Sequence, residues 1–206
     1  MHRSKIKSIL MIPQRVKRLS VWLRRAHHSR GFGVQSPSAY SFVRYVINEH
    51  YPYYSYDLLA AQFKDVDSLT LKKARLLFRV SNYAQARYWV SPSPLSSVYS
   101  AYVCKACLQS EVVSFDHFKE INASIGSERV VFYLSFFDLN ENTIAEVIER
   151  ANENTILLVD LLRKSDAQPF WESVQDNEKV SVTFDLYYVG IVFFDKRNKM
   201  NYKINF

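Results

Sequence analysis

Glycine is scarce in this chain, with four in 206 residues and none between Gly33 and Gly126. That gap covers the stretch where an α/β chain would place its first strand and the turn after it. The turn therefore cannot use glycine to bring backbone N–H groups up to a phosphate or carboxylate. Cysteine is nearly as rare. Cys104 and Cys107 form a lone C-x-x-C, too few ligands for a four-coordinate zinc site and without the flanks of a thioredoxin-like turn. Ala101, Cys104, Cys107 and Leu108 fall on one helical face instead, which predicts burial.

Long apolar runs are missing too. The early run Ile9-Leu10-Met11-Ile12 is cut by Pro13 and followed by Arg15, Lys17 and Arg18. A secretion signal needs roughly 7 or more consecutive apolar residues and a spanning helix about 20, so a cytoplasmic protein is expected. Acidic residues are absent from positions 1–48, which hold ten Lys or Arg. The remainder carries 27 − 10 = 17 basic against 20 acidic residues, so the net charge of +7 comes from a basic arm on a mildly acidic body. Such asymmetry suits a polyanion or an anionic surface met through residues 3–30, though a solvated basic helix is the commoner reason for it.

What is present is a chain long enough, at 48% hydrophobic content, for one large domain with an appended helical segment. Residues 14–26 place Val16, Leu19, Leu23 and Ala26 at helical spacing, a stripe that docks on the chain's own body or lies on an anionic surface, the first modestly favoured. Ser36 as N-cap and Pro37 at the first position open a second helix, whose stripe of Ala39, Phe42, Val43, Val46 and Ile47 runs to Tyr51-Pro52. Four tyrosines follow, at 51, 53, 54 and 56, which could line a pocket or stack on a base, though packing over a core edge is the more frequent use. Helices are expected near 56–64 and 69–82, the latter with Ser68 as N-cap, and no strand before residue 87. From Arg87 onward β-rich runs near 87–91, 111–115, 129–136 and 155–161 alternate with helical patterns at 95–108, 142–152 and 166–175. Two further β-rich runs, 180–186 and 189–194, and the stretch 202–206 suggest an antiparallel finish on a parallel sheet. The expected organisation is a basic helical segment, 1–86, packed on an α/β body, 87–206.

Three segments resemble a bacterial group of class I S-adenosylmethionine-dependent methyltransferases of the O-methyltransferase-like kind. Arg30-Gly-Phe-Gly-Val-Gln-Ser-Pro37 is similar to that group's N-terminal element, with Gln35 in place of its His, and Leu76-Leu-Phe-Arg-Val-Ser-Asn-Tyr83 resembles the helix before its first strand. The tail, from Thr155-Ile-Leu-Leu-Val-Asp160 through Phe184–Phe194 to Tyr202–Phe206, is the strongest match. The resemblance implies a Rossmann-like sheet, mostly parallel with an antiparallel C-terminal end. Between Asp116 and Arg129 there is room for one short helix and a turn at Gly126, where the family has helix, strand and helix, so the family's third, edge strand is expected to be missing.

The same resemblance implies where S-adenosylmethionine would sit. The turn after the first strand would be Ser91-Pro-Ser-Pro-Leu-Ser-Ser97, with Ser91, Ser93 and Ser96 as its hydroxyl donors. Pro92 and Pro94 each remove a backbone donor. Asp116, after the second strand, sits where the family grips the ribose hydroxyls, and capping of the following helix is an equal reading. Of the family's metal-site acids only Asp160 remains, leaving it the sole candidate base. One carboxylate cannot hold a hard cation, so no catalytic metal is expected. Ser93 or Ser96 with His117 and Asp160 lacks the G-x-S-x-G pattern of a hydrolase, and His27, His28 and His50 have no ligand spacing. Two functions follow: a methyltransferase-like protein with an eroded cofactor loop and little or no catalysis, or a non-enzymatic module whose basic arm binds nucleic acid, an acidic protein or an anionic membrane.

Overall fold

The computed structural model describes residues 19–21, 23–26, 33–121, 128–161 and 164–206. Residues 1–18, with the first part of the expected arm helix, lie outside this set. So do His27, His28, Arg30, Gly31 and Phe32, the turn at Gly126, and Leu162-Arg163.

Seven strands form one sheet: β1 Tyr88–Ser91, β2 Glu111–Ser114, β3 Val130–Leu134, β4 Thr155–Asp160, β5 Val182–Asp185, β6 Val189–Phe193 and β7 Met200–Lys203. Their order is β2-β1-β3-β4-β6-β5-β7. β2, β1, β3 and β4 are parallel, β6 is antiparallel to both β4 and β5, and β7 is parallel to β5. The antiparallel finish is thus a single reversed strand, β6. As expected, β2 is an edge and only residues 122–129 separate the helix after it from β3. No strand precedes β1 among the described residues.

The helices are α1 Pro37–Phe42, α2 Tyr54–Gln62, α3 Ser68–Ala84, α4 Ser97–Ala106, α5 Phe115–Ile121, α6 Glu141–Arg150 and α7 Lys164–Asp176. Ser36 caps α1 and Pro37 opens it, as the sequence predicts. The helix ends earlier than Tyr51: it widens into a π turn over Val43–Ile47, closed by the Asn48 amide donating to the Val43 carbonyl at 2.9 Å. The buried Arg79 guanidinium satisfies the carbonyls freed there, donating to Val46 at 2.6 Å and Ile47 at 3.0 Å. α3 is capped by Asp67 rather than Ser68, its carboxylate accepting from the Leu69 and Thr70 amides. At the other end of α3, Gln85 adopts the left-handed conformation (φ 47°) that glycine usually supplies.

Alternate side chains of each central strand enter opposite cores, because strand periodicity is two and both faces are covered. Val131, Tyr133, Ile156 and Leu158 meet α1–α4 on one face; Val130, Phe132, Leu157 and Val159 meet α5–α7 on the other. The N-terminal helices therefore form a layer on the sheet. Leu108 corrects the predicted buried face of α4: the helix ends at Ala106 and Leu108 is 89% exposed, while Cys107 is buried.

Candidate functional site

The polar residues singled out from the sequence share the carboxyl edge of the parallel strands. Connectivity turns there: from β1 the chain goes through α4 to β2 on one side, then back through α5 to β3 on the other, with the two helices on opposite faces. A crevice outside such a switch point is the usual ligand position of open α/β sheets.

In this chain a hydrogen bond crosses that crevice. The Ser93 hydroxyl, in the loop after β1, is bonded to Asp138 in the 3-10 turn after β3. Asp138 is buried, and its other oxygen accepts from the Ser135 amide at 2.8 Å and the Ser135 hydroxyl at 2.6 Å. Ser91 is buried at the end of β1, in register with Ser114 on β2. Ser96 caps α4, its hydroxyl accepting from the Tyr99 amide at 3.3 Å. Asp116 sits on the first turn of α5, but its side chain is 93% exposed and reaches only Lys119 at 3.5 Å. The cap of α5 is Ser114, which accepts from the His117 amide at 3.2 Å. The structure thus brings Ser91 and Ser93 to the switch point and leaves Asp116 in solvent.

Asp160 ends β4 and is enclosed. Lys73 Nζ, from α3, meets both carboxylate oxygens at 2.7 and 2.9 Å, and the Tyr133 hydroxyl donates to Oδ2 at 3.2 Å. Lys73 is the partner that sequence reading missed. Its signal was available: Lys73, Leu76, Leu77 and Val80 recur at helical spacing, so a lysine stands on the buried stripe of α3 and requires a counter-charge.

Burial, reinforced by the Asp160 charge, pushes the phenols of Tyr133 and Tyr99 above their ordinary value of 10.0. The stability these neutral phenols supply is complete below pH about 10, begins to decline above it as the unfolded phenols ionise, and is lost as pH rises through the folded-state values. Melting temperature measured from pH 8 to 11 will fall less steeply in Tyr133→Phe than in the native protein. Equal slopes would remove Tyr133 from this linkage.

Beyond Asp160, at the same edge, a cavity of about 330 Å³ lies between the arm, the start of α3 and the β5–β6 turn, lined by Leu19, Arg25, Leu69, Lys72, Tyr187 and Phe206 among others. None of Ser91, Ser93, Ser96, Asp116 or Asp160 lines it. Arg25 secures the arm: its guanidinium donates to the Asp185 carbonyl and carboxylate, both at 2.9 Å, and to the Ile204 carbonyl at 3.3 Å. The same group lies 5.3 Å from the centre of the Tyr187 ring. Tyr187 has a left-handed backbone (φ 74°), set by its amide donating to Asp185 Oδ1 at 2.7 Å. Among the described residues no group of three His, Cys, Asp or Glu could hold a metal ion, and no helix is long and apolar enough to cross a membrane.

A methyltransferase from Geobacter sulfurreducens, known from a crystal structure, is similar over 69% of this chain and 87% of its own, with 16% identity and a TM-score of 0.44. No family model matches the sequence, and no curated protein does so.

Proposed function

We propose that this chain is a methyltransferase-like protein whose S-adenosylmethionine crevice is closed from within, so that cofactor binding is weak or lost and catalysis with it. The observation that carries this reading is the Ser93–Asp138 bond across the switch point. The residues around it fit the cofactor poorly. Pro92 and Pro94 offer no amide, Ser96 is committed to its helix, and the Asp116 carboxylate stands in solvent beside Lys119. Asp160 is in this reading a counter-ion for Lys73 and not a base, because its carboxylate already accepts from Lys73 and Tyr133.

Thermal unfolding with S-adenosylmethionine or S-adenosylhomocysteine tests it. A ligand at about 100 times its Kd adds about 2.7 kcal/mol, or roughly 5 °C or more for a chain of this size. The expected result is no saturable shift with either compound. A saturable shift of that size would overturn the reading, and its loss in Asp116→Ala would restore Asp116 to the ribose-gripping role that the resemblance implies.

A further inference from the structure

We propose that the cavity between the arm and the β5–β6 turn binds a small aromatic carboxylate. Its volume, about 330 Å³, is at the lower end of the roughly 300–1,000 Å³ spanned by small-molecule sites. Leu186, Tyr187, Tyr188 and Phe206 make much of its wall apolar and ring-rich, and the charged side chains along it are Arg25 and Lys72. No Asp or Glu is among the described residues that line it. None of Ser91, Ser93, Ser96, Asp116 or Asp160 contributes either, so the proposal stands apart from the state of the cofactor crevice.

The walls select the ligand. Both cations stand over rings: the Arg25 guanidinium carbon is 5.3 Å from the Tyr187 ring centre, and Lys72 Nζ is 4.3 Å from that of Phe206. Positive charge and ring faces therefore meet at two places in one cavity. The acids on the flanking segments have structural partners. Asp185 holds Arg25 and the Tyr187 amide, and Asp67 caps α3 through the Leu69 and Thr70 amides. Neither acid lines the cavity, so the charge presented to a ligand is positive. A matching ligand has a ring for edge and face contact with Tyr187, Tyr188 and Phe206, and a carboxylate for Lys72, which is exposed to solvent while Arg25 is tied to Asp185. A cavity of this volume takes one or two fused rings, and a long acyl chain would in addition lose its rotational freedom on binding. Tyr187 carries a further sign of a built site. Its left-handed backbone, at φ 74°, is a conformation that strains a bulky residue and that clusters at ligand sites. Glycine would hold this turn without strain, yet a tyrosine stands there with its ring packed edge-on to Tyr188, 4.7 Å between centres.

Isothermal titration calorimetry of the full chain with naphthoate tests this, with the neutral naphthamide, the cationic naphthylmethylamine and dodecanoate as comparators. Saturable one-to-one binding is expected for naphthoate, about tenfold weaker binding for naphthamide, and none for the amine. Lys72→Gln should bring naphthoate down to the naphthamide level, about tenfold weaker than in the native protein. Tyr187→Gly removes the ring and relaxes the left-handed backbone, so naphthoate affinity should fall about tenfold or more while a cooperative melting transition is retained. Four outcomes would overturn the proposal: no naphthoate binding by the native chain, equal binding of the amide or the amine, tighter binding of dodecanoate, or native affinity for naphthoate in both variants while folded.

Discussion

Replacing Lys73 with methionine is expected to destabilise the protein by about 3–5 kcal/mol, because it takes the Lys73 ammonium away from both oxygens of the buried Asp160 carboxylate. The side chains of Lys73 and Asp160 are 5% and 11% exposed, so water cannot substitute for the lost partner. The Tyr133 hydroxyl still donates to the carboxylate, and a neutral donor does not balance a full charge. Asp160→Asn should cost a similar amount by stranding the ammonium. The double variant Lys73→Met/Asp160→Leu should recover much of the loss, since replacing a buried pair by apolar groups of similar volume is often close to neutral. Urea unfolding of the three variants measures this directly. A cost below about 1 kcal/mol for Lys73→Met would mean that the pair is hydrated in solution, as exposed pairs are.

Gly190→Ala should be nearly as damaging for a purely steric reason. A Cβ at this position would lie 2.3 Å from Trp171 Cζ3 and 2.5 Å from Cη2, well inside contact distance. Neither side can retreat. Gly190 is paired with Val159 on β4 and Asp185 on β5, and Trp171, on α7, is 1% exposed. Overpacking of this kind costs about 1–3 kcal/mol for a single methyl and more for valine. Trp171→Leu/Gly190→Ala should be less destabilised than the sum of its parts, because the smaller side chain vacates the space. Additive losses in thermal unfolding would show that the ring moves aside without cost.

The parts of the fold legible in the sequence were those set by neighbours along the chain. Ser36-Pro37 announces α1 because a cap and a first-turn proline act within four residues, and the apolar runs of β3 and β4 read as strands buried on both faces. That β2 lies at an edge was legible from spacing, as a crossover and another strand do not fit between Asp116 and Arg129. The site was less legible, because its partners are far apart in sequence. Asp160 stands out at the end of a strand, yet Lys73 is 87 residues away and Asp138 is 45 residues from Ser93. The arm shows the limit of periodicity. Of the expected docking stripe, Leu23 is exposed and Leu19 only lines the cavity beside Tyr187 and Phe206, while the anchor is Arg25 bonded to Asp185, a pairing that hydrophobic spacing cannot encode.

That clamp also orders events during synthesis. Arg25 leaves the ribosome 160 residues before Asp185 and 179 before Ile204, so its acceptors do not exist while most of the chain is being made. Domains fold from the amino end as they emerge. Here the helical turn that carries Arg25 waits for the segments that supply Asp185 and Ile204, and its seating marks their arrival.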